Sequence, residues 1–183
     1  MSAEEEKTET SYDYEVKLAG LYDEYYDKIA RYAYTQIGNK ADAEDIAGEV
    51  FLRALKSIKS YKYEERGIPM HAWLFKIAHN LVIDYFRKSS KQKTVPIENV
   101  HVEAKDNPIS MAETNVDIEK MNMAMEQLTV EQREVLKLRF YGGLTSKETG
   151  NILNKRDGAV REMQRAAIEK LRKLMINDYQ SAT

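Results

Sequence analysis

Asp42, Asp45 and Glu49 are spaced i, i+3 and i+7, which places three carboxylates on one face of a helix. Two uses fit such a face. It is a solvated surface favoured by the positive end of the helix dipole, or it is a docking surface for a basic partner. A metal site does not follow, because no histidine joins the acids. Further along, Trp73, Phe75, Tyr85 and Phe86 lie among His71, Lys76, His79, Asn80, Arg87 and Lys88, with Lys91 and Lys93 after them and Tyr61 and Tyr63 before. Rings beside cations form a surface on which unpaired bases stack while the cations hold phosphates. The same rings also suit a helical core. Trp73, near the start of its helix, is the one with the best case for a role outside the core. A third group, Lys155, Arg156, Arg161, Gln164 and Arg165, clusters near the C-terminal end. These side chains can reach phosphates or guanine edges, where arginine bonds in a bidentate way. Gln164 lies closer to the packing side of its helix.

The elements that must carry these groups read as helices throughout. Leu18, Leu21, Tyr22, Tyr25, Ile29, Tyr32, Ala33 and Ile37 make the stripe of a first helix from about Tyr14, stopped by Gly38-Asn39. A second helix runs from about Ala41 to Ser57, with Ile46, Val50, Leu52, Leu55 and Ile58 as its apolar positions. After a loop containing Gly67 and Pro69, a third spans about His71 to Lys88. Residues 1–11 hold Glu4, Glu5, Glu6 and Glu9 against Lys7, without apolar periodicity, and read as a disordered acidic tail. Residues 12–90 make one helical domain. Residues 91–113, with Pro96 and Pro108, read as a flexible linker, natural between domains and suspect within one.

The second domain covers 114–177. Ile118, Met121, Met125 and Leu128 make its first stripe, and Val135, Leu136, Leu138 and Phe140 its second. Thr129 with Gln132, and Thr145 with Glu148, are capping boxes. A short helix follows Thr145, and Asn154-Lys155-Arg156-Asp157-Gly158 breaks the pattern, Asp157 being suited to cap the next helix. There Val160, Met163, Ala167, Ile168, Leu171 and Leu174 share a face, leaving Arg161, Glu162, Arg165 and Arg172 largely off it. A small helix, a tight turn and a basic helix are the layout of a helix-turn-helix DNA reader. The fold class expected is all-α: two small helical domains joined by a flexible linker, the second a helix-turn-helix.

The 183 residues carry a net charge of −2, which argues against a protein that coats or condenses DNA. The charge is sorted, however: residues 128–175 hold eleven Lys and Arg against six acids. There is no cysteine, no signal-peptide pattern and no apolar run near the roughly 18 residues of a membrane span. A cytoplasmic protein with no membrane attachment is expected. His71, His79 and His101 share no ligand spacing, and no nucleophile motif or phosphate-cradling glycine loop is present. No metal, no cofactor and no catalytic residue are expected, so the chain does not read as an enzyme.

With these residues in view, the chain resembles a bacterial RNA polymerase sigma factor, and most of all the two-domain extracytoplasmic-function group of the sigma-70 family. The stretch from Leu21-Tyr22-Asp23-Glu24-Tyr25-Tyr26 to Gly38-Asn39 is similar to the family's first helix. Residues 42–51, Asp42 to Phe51, resemble its polymerase-binding helix, and residues 72–87, Ala72 to Arg87, its promoter-opening, minus-ten-reading segment. Gly158-Ala159-Val160-Arg161 and the surrounding helix-turn-helix resemble its minus-thirty-five reader. The resemblance covers about residues 16–175.

It implies that 12–90 is sigma region 2 and 114–177 sigma region 4. It implies docking on core RNA polymerase through Asp42, Asp45 and Glu49. Minus-ten DNA would meet Tyr61, Tyr63, Trp73, Lys76, Asn80, Asp84, Arg87 and Lys88. Minus-thirty-five DNA would meet Lys155, Arg156, Arg161, Gln164 and Arg165. The partners implied are core polymerase and promoter DNA. Small members of the family are often held by an anti-sigma factor, though no residue here identifies one. The chain departs from the family pattern in four places. Thr149 stands where an aliphatic residue is usual, and Lys155 where the turn usually buries one. Ala166 replaces a frequent arginine, and Arg165 takes a spot often aromatic. A changed minus-thirty-five preference, or weaker dependence on that element, is expected from them. The alternative function is a free-standing helix-turn-helix transcriptional regulator. A helical adaptor that binds protein alone is a second rival.

Overall fold

The computed structural model describes the backbone of residues 3–58, 67–92 and 120–181, and the side chains of 14–58, 67–90 and 120–176. Every regular element among them is helical. The order is α1 (Ala3–Ile37), α2 (Lys40–Ser57), α3 (Met70–Gln92), α4 (120–126), α5 (Val130–Phe140), α6 (Ser146–Leu153) and α7 (Asp157–Ser181). The chain divides into two compact units, Met1–Glu103 and Ala104–Thr183. Nearly all of the expected linker, and the loop with Tyr61 and Tyr63, lie outside the described residues.

In the first unit α1, α2 and α3 pack on one another. Gly38 turns at φ 72, a left-handed conformation that costs glycine little. Asn39, read as part of the stop for α1, also starts α2: its side chain accepts from the backbone N–H of Asp42. The core forms from Ile29, Tyr32, Ala33, Ala47, Val50, Ala54, Leu74, Phe75 and Ala78. Tyr32 meets Phe75 edge-on at 5.8 Å, and its hydroxyl lies 3.1 Å from His79 Nδ1, so the buried phenol has a partner.

Residues 3–11, expected as an acidic tail, continue helix α1. They contain no Gly or Pro to stop a helix, and glutamates in a first turn suit the dipole. Leu52 and Leu55, read as packing positions of α2, are 53% and 49% exposed. The helix buries Ala43, Ile46, Ala47, Val50, Phe51 and Ala54 instead. Small alanines let the helices approach closely, so the buried face is centred on them and both leucines fall outside it.

In the second unit α5 and α6 pack on α7. Leu128, Leu136 and Ala167 form a buried cluster with Met125 and Leu171 against it, and Leu138, Leu144, Ile152 and Val160 are also buried. Both capping boxes are made: Thr129 and Gln132 bond reciprocally, as do Thr145 and Glu148. Met121 and Phe140, expected in apolar stripes, are exposed, and Ala124 takes the buried place in α4. Ile168 is likewise exposed rather than packed.

Candidate nucleic-acid and polymerase interface

The acids of α2 separate into two environments. Asp42 is half-buried, and its Oδ2 accepts from the Tyr85 hydroxyl of α3 at 2.7 Å. This bond, with burial second, holds the Tyr85 phenol above its ordinary pKa. Asp45 is exposed. Glu49 accepts from Arg53 Nε at 2.7 Å, and that bond holds its carboxyl below the usual range, with Lys88 of α3 adding a smaller pull. Asp45, Glu49, Leu52 and Leu55 follow one another at steps of three and four on the outer face of α2, with Lys56 beside them. Sequence reasoning found the acids of this surface and misassigned its leucines. The signal was present: a stripe through both leucines also runs through Asp45 and Glu49.

On α3, Lys76, Asn80, Ile83 and Arg87 share a stripe. Lys76 is half-buried, and desolvation lowers its pKa. Asn80, Arg87 and Lys88 are exposed. Arg87 Nη2 pairs with Asp84 Oδ1 at 2.9 Å, so Asp84 orients the arginine. Ile83, which sequence reasoning passed over, is an exposed apolar side chain between Asn80 and Arg87. Trp73, expected to meet the minus-ten strand, is 6% exposed and part of the core in this conformation.

The helix-turn-helix shows how its reading face is built. Asn154 ends α6 in the left-handed region at φ 54, and the N–H groups of Asn154 and Lys155 both turn back to the Gly150 carbonyl. A Cβ at Gly150 would stand 2.5 Å from the Lys155 carbonyl oxygen, so the turn requires glycine there. Asp157 does not precede α7 as a cap but is its first residue, and its Oδ2 pairs with Arg161 at 2.9 Å.

Two expected DNA contacts have partners on α5. Gln164 is half-buried and accepts from Arg139 Nε at 2.9 Å, while Arg139 Nη1 donates to the Leu144 carbonyl. One arginine of α5 thus ties down both α7 and the turn before α6. Lys155 pairs with Glu131 of α5 at 2.7 Å. Arg156, Arg161 and Arg165 are exposed, the last bonded to Glu162 at 3.0 Å. Arg161, Gln164, Arg165, Ile168, Glu169 and Arg172 line an open groove of about 410 Å³ along α7.

Family models match both units in this order: sigma-70 region 2 over residues 21–92 and sigma-70 region 4 over residues 124–173. The chain belongs to the sigma-70 family. Its curated relatives place it in the extracytoplasmic-function group. The RNA polymerase sigma factor BldN of Streptomyces coelicolor is 36% identical over 163 residues, 86% of this chain and 60% of BldN. SigW of Bacillus subtilis is 31% identical over 85% of this chain and 87% of its own length. Among solved structures, CnrH in complex with the cytosolic domain of CnrY superposes with a TM-score of 0.66 at 18% identity, covering 94% and 96% of the two chains. RpoE of Bartonella quintana, solved with the anti-sigma factor NepR, also gives 0.66, at 20% identity and 87% and 96% coverage. At such identities the structures attest the fold. A sigma factor is an initiation factor and not an enzyme. Among the described residues no helix is long and apolar enough to cross a membrane.

Proposed function

We propose that the chain works as its relatives are named, as a sigma factor that directs core RNA polymerase to particular promoters. In this reading the outer face of α2 docks on polymerase. The acids Asp45 and Glu49 meet a basic surface, and Leu52 and Leu55 supply the apolar contact. The observation that carries it is the exposure of two leucines in line with two carboxylates on a helix whose other face is core. Neighbouring exposed leucines on one helix face make an apolar patch of the kind a partner covers. Asp42 serves this surface indirectly, through Tyr85.

The α3 stripe of Lys76, Asn80, Ile83 and Arg87, with Lys88 beside it, meets the opened minus-ten strand. Tyr61 and Tyr63 belong to the same role by resemblance. The start of α7, led by Arg156, Arg161 and Arg165, meets the minus-thirty-five duplex. The setting is the cytoplasm, where polymerase and chromosome are. An anti-sigma protein is a further proposed partner, as the Bartonella quintana neighbour was solved holding one.

Titration against core polymerase tests this. The wild-type chain is expected to bind one to one, and Asp45→Lys with Glu49→Lys to lose that binding while keeping its helicity. Binding unchanged in the double variant would remove this face from the interface. A free-standing regulator, the alternative, would show no polymerase binding at all.

A further inference from the structure

The outer side of α7 carries acids that DNA binding does not need. Duplex DNA presents about one negative charge per 1.7 Å of its axis, so a carboxylate on a DNA-facing helix opposes binding unless a base uses it. Three acids lie on or beside this side. Asp157 is half-buried: its Oδ1 is enclosed, and its Oδ2 is held by Arg161. Glu169 lies two turns beyond Glu162, about 10.5 Å further along the axis, and is bonded to Lys173 at 2.9 Å. Glu162 alone sits in the leading turns with its side chain out, 70% exposed. Its Oε2 accepts from Arg165 Nη2 at 3.0 Å, and Arg165 is 71% exposed. The two side chains therefore leave the helix as one donor–acceptor pair. Helix register explains it: positions three apart are neighbours, and both lie away from Val160 and Ala167, which face the core.

The chemistry of such a pair is selective. In the major groove a carboxylate accepts from the N4 amine of cytosine, while guanine and thymine offer it acceptors, which repel it, and adenine sets its N6 donor beside the N7 acceptor, which opposes the charge. An arginine donates to N7 and O6 of guanine. We infer that Glu162 is a specificity-determining residue of the minus-thirty-five contact: its carboxylate accepts from a cytosine N4 amine while Arg165, held beside it, donates to a neighbouring guanine. Glu162 acts as much by exclusion as by attraction, since a wrong base leaves its charge facing an acceptor. The inference rests on the reading of α7 as the minus-thirty-five reader.

The test uses holoenzyme reconstituted from core polymerase and the full chain, selecting from promoters with a randomised minus-thirty-five element. Wild type, Glu162→Gln and Glu162→Ala are compared. Wild type is expected to prefer cytosine at one position by about tenfold, the scale of one good base contact. Glu162→Ala flattens that position to under about threefold. Glu162→Gln moves it toward adenine, because an amide bonds adenine N6 and N7. Neighbouring positions keep their preferences in both variants, and assembly with the core is unchanged. A wild type with no cytosine-preferring position overturns the inference, as does one base profile shared by all three proteins. Wild-type holoenzyme that assembles but ignores the minus-thirty-five sequence altogether overturns the reading of α7, and the inference with it.

Discussion

Thr149 is fully buried, and its Oγ1 has no hydrogen-bond partner. An unpaired buried hydroxyl keeps its desolvation penalty with nothing to offset it. Thr149→Val preserves the shape and removes the hydroxyl. It should raise stability by about 1 kcal/mol, or roughly 4–8 °C in the melting of a unit this size. A melting point that stays or falls would mean the hydroxyl has a partner in solution. Gly150, next to it, predicts the opposite sign. Gly150→Ala drives a methyl into the Lys155 carbonyl and should destabilise the unit by about 2 kcal/mol, read by urea unfolding.

Lys137 on α5 is mostly buried, and desolvation pushes its pKa down to about 8 against Glu134, which pulls it up. Between about pH 8 and the ordinary lysine value the unfolded chain holds a proton that the folded chain has lost, so stability rises with pH across that window. Below it the charged amine is buried at a cost. Lys137→Met should therefore be more stable than wild type at pH 7, by up to about 3 kcal/mol. The difference should shrink as pH rises through 8 toward 10.5. A constant difference from pH 7 to pH 10 would show that packing, not charge, sets it.

At the scale of elements, α2 and α3 are joined by the Tyr85–Asp42 bond, which ties the helix proposed to dock on polymerase to the one proposed to meet DNA. Tyr85→Phe removes one hydrogen bond to a partly exposed carboxylate and should lower the stability of the first unit by about 1 kcal/mol. Helix content should stay the same, because the core of Tyr32, Phe75 and Val50 is untouched. The outer face of α2 gives a sharper result. Leu52→Ala with Leu55→Ala removes side chains that are half in water, so folding stability should change by less than about 1 kcal/mol. Polymerase affinity should nevertheless fall at least about tenfold, as truncated apolar contacts at an interface do. A large loss of stability with unchanged affinity would return the leucines to the core.

For the molecule as a whole, charge decides what it does alone. The net charge is −2. Most cations of the reading helix are already matched: Arg161 by Asp157, Arg165 by Glu162, Lys173 by Glu169. Exposed pairs of this kind are weak, but DNA must still exchange them for phosphates. The isolated chain should bind promoter duplex only weakly at about 0.15 M salt, and promoter affinity should appear with polymerase. Fluorescence anisotropy with and without core enzyme measures this. Tight binding by the chain alone, lost steeply on adding salt, would favour the free-standing regulator.

Much of this molecule was legible in its residues. The all-α class, the two units, both capping boxes and the helix-turn-helix follow from local signals: apolar spacing, caps and turn residues act within a few positions along the chain. The family follows from the same segments in the same order. Sequence alone did not decide which way each side chain is used. Trp73 belongs to a stripe that also carries Lys76 and Asn80, yet it is core. Leu52 and Leu55 have core chemistry, yet they face water. Gln164 and Lys155 look free for DNA, yet Arg139 and Glu131 hold them from positions 25 and 24 residues away in the chain. Periodicity names the faces of a helix, but only the packing of distant helices selects the one that is covered. Local sequence therefore determined the elements and their order, while tertiary contacts decided which polar and apolar groups remain available to a partner.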